Sequence, residues 1–150
     1  EGYTWIQRKF DGHWVSVDMD GVNCMVKSRS GRVLSLVRVS NTGPHRTIIG
    51  ELIVGTHEAS EAGEHYGQIV VFDIYDDNGL EVPYSERLAE AECVALSSGY
   101  GRFSGGIMVA PQTLAAAMAE AEAENWEGLI FRSPDAPYFA PIYRMVRRGR

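Results

Sequence analysis

Hydrophobic and polar positions alternate through much of the first half of this chain, the pattern of strands with one buried face. Trp14-Val15-Ser16-Val17-Asp18-Met19, Val22 to Val26, Val33 to Val39 and Thr47 to Val54 each read as a strand. Polar turns at Asp18 to Gly21, Ser28 to Gly31 and Asn41 to Pro44 separate them at hairpin spacing, which predicts an antiparallel meander. Gln68 to Tyr75 is a further strand, closed by the turn Asp76-Asp77-Asn78-Gly79. Only then does the period become helical. Ser85 to Leu96 follows Pro83 and sets Leu88, Ala91, Ala95 and Leu96 on one side. Pro111 to Asn125 is rich in Ala and Glu, both strong helix formers, and places Leu114, Met118 and Ala121 in one stripe. Gly128 to Arg132 reads as the last strand. Helices inserted between antiparallel strands give an α+β fold, in one domain spanning residues 1–150 with no internal repeat and no interdomain linker.

Composition agrees with a globular domain: 150 residues, 45% hydrophobic and 23% charged, enough to bury a core. A start at Glu1 rather than Met is what an excised or trimmed domain would show. No apolar stretch approaches a membrane span and no signal peptide precedes Glu1, so the expectation is a soluble, cytoplasmic protein that neither meets a membrane nor is secreted. Cys24 and Cys93 are too far apart for a CxxC motif and too few for a disulfide framework. They read as buried or incidental thiols.

The net charge of −6 conceals an uneven distribution. Residues 1–50 hold seven Lys/Arg against four Asp/Glu, residues 51–143 three against sixteen, and residues 144–150 four Arg and no acid. Phosphate binding is dominated by charge neutralisation, so a triphosphate or a duplex would approach the basic ends. A solvated acidic face with a basic tail is the plainer explanation of the same pattern.

Chemistry concentrates in a few places. Lys9 stands at the end of a strand that includes Trp5 and Ile6, two residues ahead of the turn at Asp11-Gly12. A lysine attacks phosphorus only after losing its proton, and a pocket with metal-binding carboxylates is where a nucleoside triphosphate would be presented to it. By itself this segment also suits a surface turn. Glu51 shares a strand face with Ile49 and Ile53, so its carboxylate is at least partly buried and needs a donor or a cation. It is a structural acceptor or a site residue. Phe72 is a core aromatic or a ring at a pocket edge, able to stack on a base. Glu127, between a helix end and a strand and followed by Gly128, can hold Mg²⁺ together with phosphate oxygens. His13, His45, His57 and His65 have no metal-ligand spacing, and the glycines at 99–101 and 105–106 suggest a mobile loop outside any P-loop pattern.

Taken in order, these segments resemble the covalent nucleotidyltransferase superfamily of ATP-dependent DNA ligases, RNA ligases and mRNA capping enzymes. Lys9-Phe10-Asp11-Gly12 matches the nucleophile motif, Ser28-Arg29-Ser30-Gly31 the ligases' SRxG segment, and Gly50-Glu51-Leu52 the DGEL segment. Phe72-Asp73-Ile74 matches the FDI segment, and Glu127-Gly128-Leu129-Ile130 the EG(L/V)(V/I) motif. The resemblance implies two antiparallel sheets with flanking helices, a compact ligase-type, ATP-grasp-like nucleotidyltransferase fold. It implies that Lys9, with Asp11 beside it, attacks the α-phosphate of ATP to form a lysyl-AMP and release pyrophosphate. The nucleotide would then pass to a 5′-phosphate, which a 3′-hydroxyl attacks. On the same resemblance Glu51 bonds the ribose, Phe72 stacks on the base, Arg29 contacts phosphate, and Ile6 and Gln7 lie at the adenine edge. Glu127 and Glu51 would hold Mg²⁺ or Mn²⁺. Nicked DNA or RNA would be the partner, at the nucleoid or at a viral replication site, in DNA repair or replication.

The sequence departs from the family pattern twice. Trp14 stands where many ligases carry the arginine of KxDGxR, so one ribose contact is absent or comes from elsewhere. The closing KxK motif is replaced by Tyr143-Arg144-Met145-Val146-Arg147-Arg148-Gly149-Arg150, in which Arg144, Arg147, Arg148 and Arg150 are all candidates for phosphate binding. No oligonucleotide-binding barrel follows, so it was removed, never existed, or is a separate partner. The SRxG and FDI segments look like those of DNA ligases, while the small size and Trp14 lean toward RNA ligases. A GTP-using capping enzyme and a nucleotide-binding module without turnover are the remaining alternatives.

Overall fold

A computed structural model describes residues 3–10, 12–20, 23–38, 45–53, 68–76, 79–97, 103–104 and 110–147. Strands β1 (Tyr3–Lys9), β2 (His13–Asp20), β3 (Asn23–Ser28), β4 (Val33–Arg38), β5 (Arg46–Leu52) and β6 (Ile69–Tyr75) precede helix α1 (Tyr84–Ser97). The chain continues with β7 (Phe103–Ser104), β8 (Ala110–Thr113), helix α2 (Leu114–Ala123), β9 (Gly128–Arg132) and β10 (Tyr143–Val146). A four-stranded antiparallel sheet has the order β10-β9-β1-β8, and a six-stranded sheet the order β4-β3-β2-β5-β6-β7. The second is antiparallel apart from the two-residue β6–β7 pairing at its edge. The fold class is α+β, as expected.

The strands do not form a plain meander. β2, β3 and β4 follow one another as hairpins, but β5 returns to pair with β2, the order of a Greek key. β1 leaves for the other sheet, so the turn after Lys9 is the point where the chain passes between sheets.

Three apolar clusters hold four layers together, in the order helix, sheet, sheet, helix. Val15, Val17, Val26, Ile48, Ile69, Val71 and Ile74 pack beneath Ala91, Val94 and Ala95 of α1. Phe10, Ile49, Ile53, Val70 and Phe72 lie between the sheets. Ile6 and Leu129 pack against Ala117 and Ala121 of α2. The periodicity expected over 85–96 is met by α1, whose Leu88, Ala91 and Ala95 are buried.

The second helix needs correction. Pro111 to Thr113 belong to β8, an edge strand where proline's missing N–H costs no ladder bond. Thr113 then caps α2, its hydroxyl accepting from Ala116 N at 3.1 Å. Ala117 and Ala121 form the buried stripe, whereas Leu114 and Met118 are 43% and 48% exposed. Small side chains let the helix lie close on its sheet, and the larger ones turn outward.

Candidate active site

Between the sheets lies a cleft of about 930 Å³. Its lining includes Arg8, Lys9, Arg29, Arg32, Arg132 and Arg144, and Glu51 is the one carboxylate among the described lining residues. A chain of net charge −6 therefore concentrates positive charge in its cleft, the arrangement that raises the local concentration of an anion.

Lys9 ends β1 opposite Gly128 of β9, and its Nζ lies 2.6 Å from Glu127 Oε1. A helix stop delivers that carboxylate. Asn125 takes the left-handed conformation (φ 57°) after Glu124, and Trp126 N donates to Ala121 O at 2.9 Å, closing α2 in a Schellman turn. Glu127 follows at once. Gly128 is required next, because a Cβ there would collide with Met145 O of β10.

Glu51 lies on β5 opposite Trp14 of β2. Burial pushes its carboxyl up to about 7, against the pull of the Lys9 charge and a hydrogen bond from the Gly12 N–H; Glu127 adds to the rise and Arg29 opposes it. Gly12 passes so close to Leu52 O that no side chain fits, which is what brings its N–H to the carboxylate.

Strand β6 carries a bulge at Phe72. Gly50 pairs with Val71 and Ile49 with Asp73, leaving Phe72 as the extra residue of β6. Ile69, Val71 and Ile74 can therefore all join the core under α1, which strict alternation forbids. Phe72 lines the cleft, and Asp73 makes a buried pair with Arg87 (Nε–Oδ1 2.8 Å). The guanidinium of Arg132 lies 5.4 Å from the Phe72 ring centroid.

Arg29 comes from the turn after β3, and its guanidinium sits 4.9 Å from the Trp14 ring centroid. Arg144 lies opposite Ile130 on β10 and lines the cleft.

Other expected residues lie elsewhere. Ile6 is one residue off the parity of Lys9, so its side chain enters the α2 core. Gln7 shares the Lys9 parity but is fully buried, donating to Tyr84 Oη at 3.0 Å and accepting from Arg132 Nε at 3.0 Å. Neither side chain lines the cleft. Arg147 faces the α2 side and donates to Trp126 O at 2.7 Å. Asp11, Arg148 and Arg150 lie outside the described residues, as do His57, His65 and the glycines at 99–101 and 105–106. Arg8, Arg32 and Arg132 were missing from the sequence expectation. Arg132 carried a signal, since residues 51–143 have only three basic residues.

Among the described residues no group of three or more His, Cys, Asp or Glu is placed to hold a metal ion. No described helix is long and apolar enough to cross a membrane. Cys24 is a buried free thiol pushed up to about 11 by burial, and Cys93 is free and exposed.

No family profile matches the sequence, and no curated protein matches it. Solved structures do match in shape. The ligase domain from M. tuberculosis LigD superposes with a TM-score of 0.64 at 20% identity, covering 91% of this chain and 49% of that one. The fold is that of a ligase nucleotidyltransferase domain. A structure named Pmar-Lig_PreS3 gives a TM-score of 0.72 at 14% identity, over 97% of this chain and 43% of that one. The ATP-dependent DNA ligase from bacteriophage T7, in complex with ATP, gives 0.64 at 12% identity, over 98% of this chain and 63% of the ligase. The chain thus spans about half the length of the first two structures it matches. In this ligase-type fold the cleft between the sheets brings Lys9, Glu51, Phe72, Arg29 and Arg144 together.

Proposed function

We propose that the chain is the adenylation domain of an ATP-dependent polynucleotide ligase, acting on nicked DNA rather than RNA. The observation that carries this reading is Lys9, held against Glu127 in a cationic cleft that also presents Glu51 and Phe72. In the resting arrangement the Lys9 ammonium is paired with a carboxylate, so attack requires that pair to open and the amine to shed a proton. Nζ then forms a bond to the α-phosphorus, and the bond to the β-phosphate oxygen breaks. Pyrophosphate departs with the electron pair. Arg29, Arg132 and Arg144 supply the positive charge that an in-line displacement needs on the phosphoryl oxygens.

Glu127 and Glu51 would hold a Mg²⁺ or Mn²⁺ ion that takes one or two carboxylates and completes its shell with phosphate oxygens, a reading supported by the contribution of the Glu127 charge to the rise of the Glu51 carboxyl. When bound, such an ion supplies further charge neutralisation at the phosphates. Glu51 accepts from the ribose, and Phe72 offers its ring to the base. The T7 ligase neighbour, which holds ATP, supports the choice of nucleotide.

A second reading, a nucleotide-binding module without turnover, is favoured by Trp14 in place of the family's arginine. Intact mass after incubation with ATP or GTP and Mg²⁺ separates the readings. Gain of one AMP from ATP is expected; binding without a mass gain supports the module, and labelling by GTP as good as or better than by ATP supports a capping enzyme.

A further inference from the structure

Trp14 is both the departure from the family pattern and a wall of the cleft. It is half-buried, packs against the cluster of Phe10, Ile49, Ile53, Val70 and Phe72, and is thereby fixed in orientation. Arg29 is exposed and would by itself sample many rotamers. The backbone that carries it is a hydrogen-bonded turn. Ser28 N donates to Arg32 O and Gly31 N to Ser28 O, both at 2.9 Å, and Gly31 takes φ 92°, a conformation that favours glycine. The Ser28 hydroxyl also accepts from Arg32 N at 3.2 Å. From this turn the guanidinium reaches back over the indole face, at 4.9 Å, and so lies at the cleft wall beside Glu51.

We propose that Trp14 is a positioning residue, an aromatic platform that holds the Arg29 guanidinium in place to bind a phosphate of the incoming nucleotide. The proposal rests on the nucleotidyltransferase reading above. An indole ring cannot donate two parallel hydrogen bonds as an arginine does, but its face attracts a guanidinium and leaves the planar edge free for an oxyanion. Position 14 thus acts on the phosphate through Arg29, which comes from the turn after the neighbouring strand β3.

The test is a double-mutant cycle on lysyl-AMP formation, with equilibrium ATP binding measured on the same proteins. Trp14→Leu is expected to raise the half-saturating ATP concentration roughly 2- to 5-fold, with little change in the saturated rate. Trp14→Phe, which keeps a ring, is expected to restore most of the loss. In an Arg29→Ala background Trp14→Leu is expected to add nothing, because the residue it positions is gone. Full additivity of Trp14→Leu and Arg29→Ala would overturn the proposal by showing that Trp14 acts on the nucleotide or the fold independently. An unaltered half-saturation in Trp14→Leu would overturn it as well. Those results leave the proposed activity standing, whereas a wild-type protein that neither binds ATP nor forms the adduct overturns both.

Discussion

Glu51 lines the cleft and Glu127 pairs with Lys9, and the two carboxylates differ in ways that separate their mutants. The Glu51 carboxyl is raised to about 7 chiefly by burial. The folded protein therefore holds a proton that the unfolded chain has already released, so stability falls as pH rises from about 4.5 to about 7 and is flat above that. Glu51→Gln should remove this component. Urea titrations across pH 4 to 8 are expected to show the variant gaining on the wild type through that window, by on the order of 3 kcal/mol or less. An unchanged difference across it would mean that Glu51 is not held neutral. Glu127 keeps 23% of its side chain exposed and faces Lys9. Glu127→Ala is expected to abolish lysyl-AMP formation with little change in melting temperature, and near-normal labelling with unchanged Mg²⁺ dependence would remove it from the site. Phe72→Ala should weaken ATP binding by about 1–3 kcal/mol if the ring stacks on the base.

At the scale of elements, the two-residue period of the strands decides which side chains meet. β10 sends Arg144 toward the cleft, and Arg147, just past its end, faces α2. Arg144→Ala should therefore reduce adenylylation at any salt concentration, whereas Arg147→Ala should spare it; the reverse order would place the closing basic motif on the wrong residue. The same logic explains what was legible in the sequence. Alternation over 14–19 and 47–54 located β2 and β5, and Asp11-Gly12 marked the end of β1, though not that the chain passes there from one sheet to the other. β8 and β10 were not legible, because each is four residues long and makes sense only beside its partner strand. The burial of Gln7 was hidden for a similar reason, since Tyr84 and Arg132 lie 77 and 125 residues away. Nor did periodicity reveal the Phe72 bulge, which reverses the parity of β6 and turns Asp73 toward Arg87. That pair joins β6 to α1, with Arg87 Nη1 also donating to Ala136 O at 2.9 Å. Asp73→Asn strands a buried guanidinium, and equilibrium unfolding is expected to record a loss of about 3–5 kcal/mol.

For the whole molecule, the opposition between an acidic chain and a cationic cleft is the feature that limits its partners. The chain matches ligase structures about twice its length, so the proposed contact with nicked DNA would be only part of a larger surface. The proposed covalent step takes place at Lys9, in the cleft. That step carries the central claim, and its most direct test is the site of the adduct. The purified chain, incubated with ATP and Mg²⁺ and digested, should yield an acid-labile AMP adduct on the peptide containing Lys9, absent from Lys9→Ala. An adduct on another residue, or one that survives in Lys9→Ala, would contradict the assignment of Lys9 as the nucleophile.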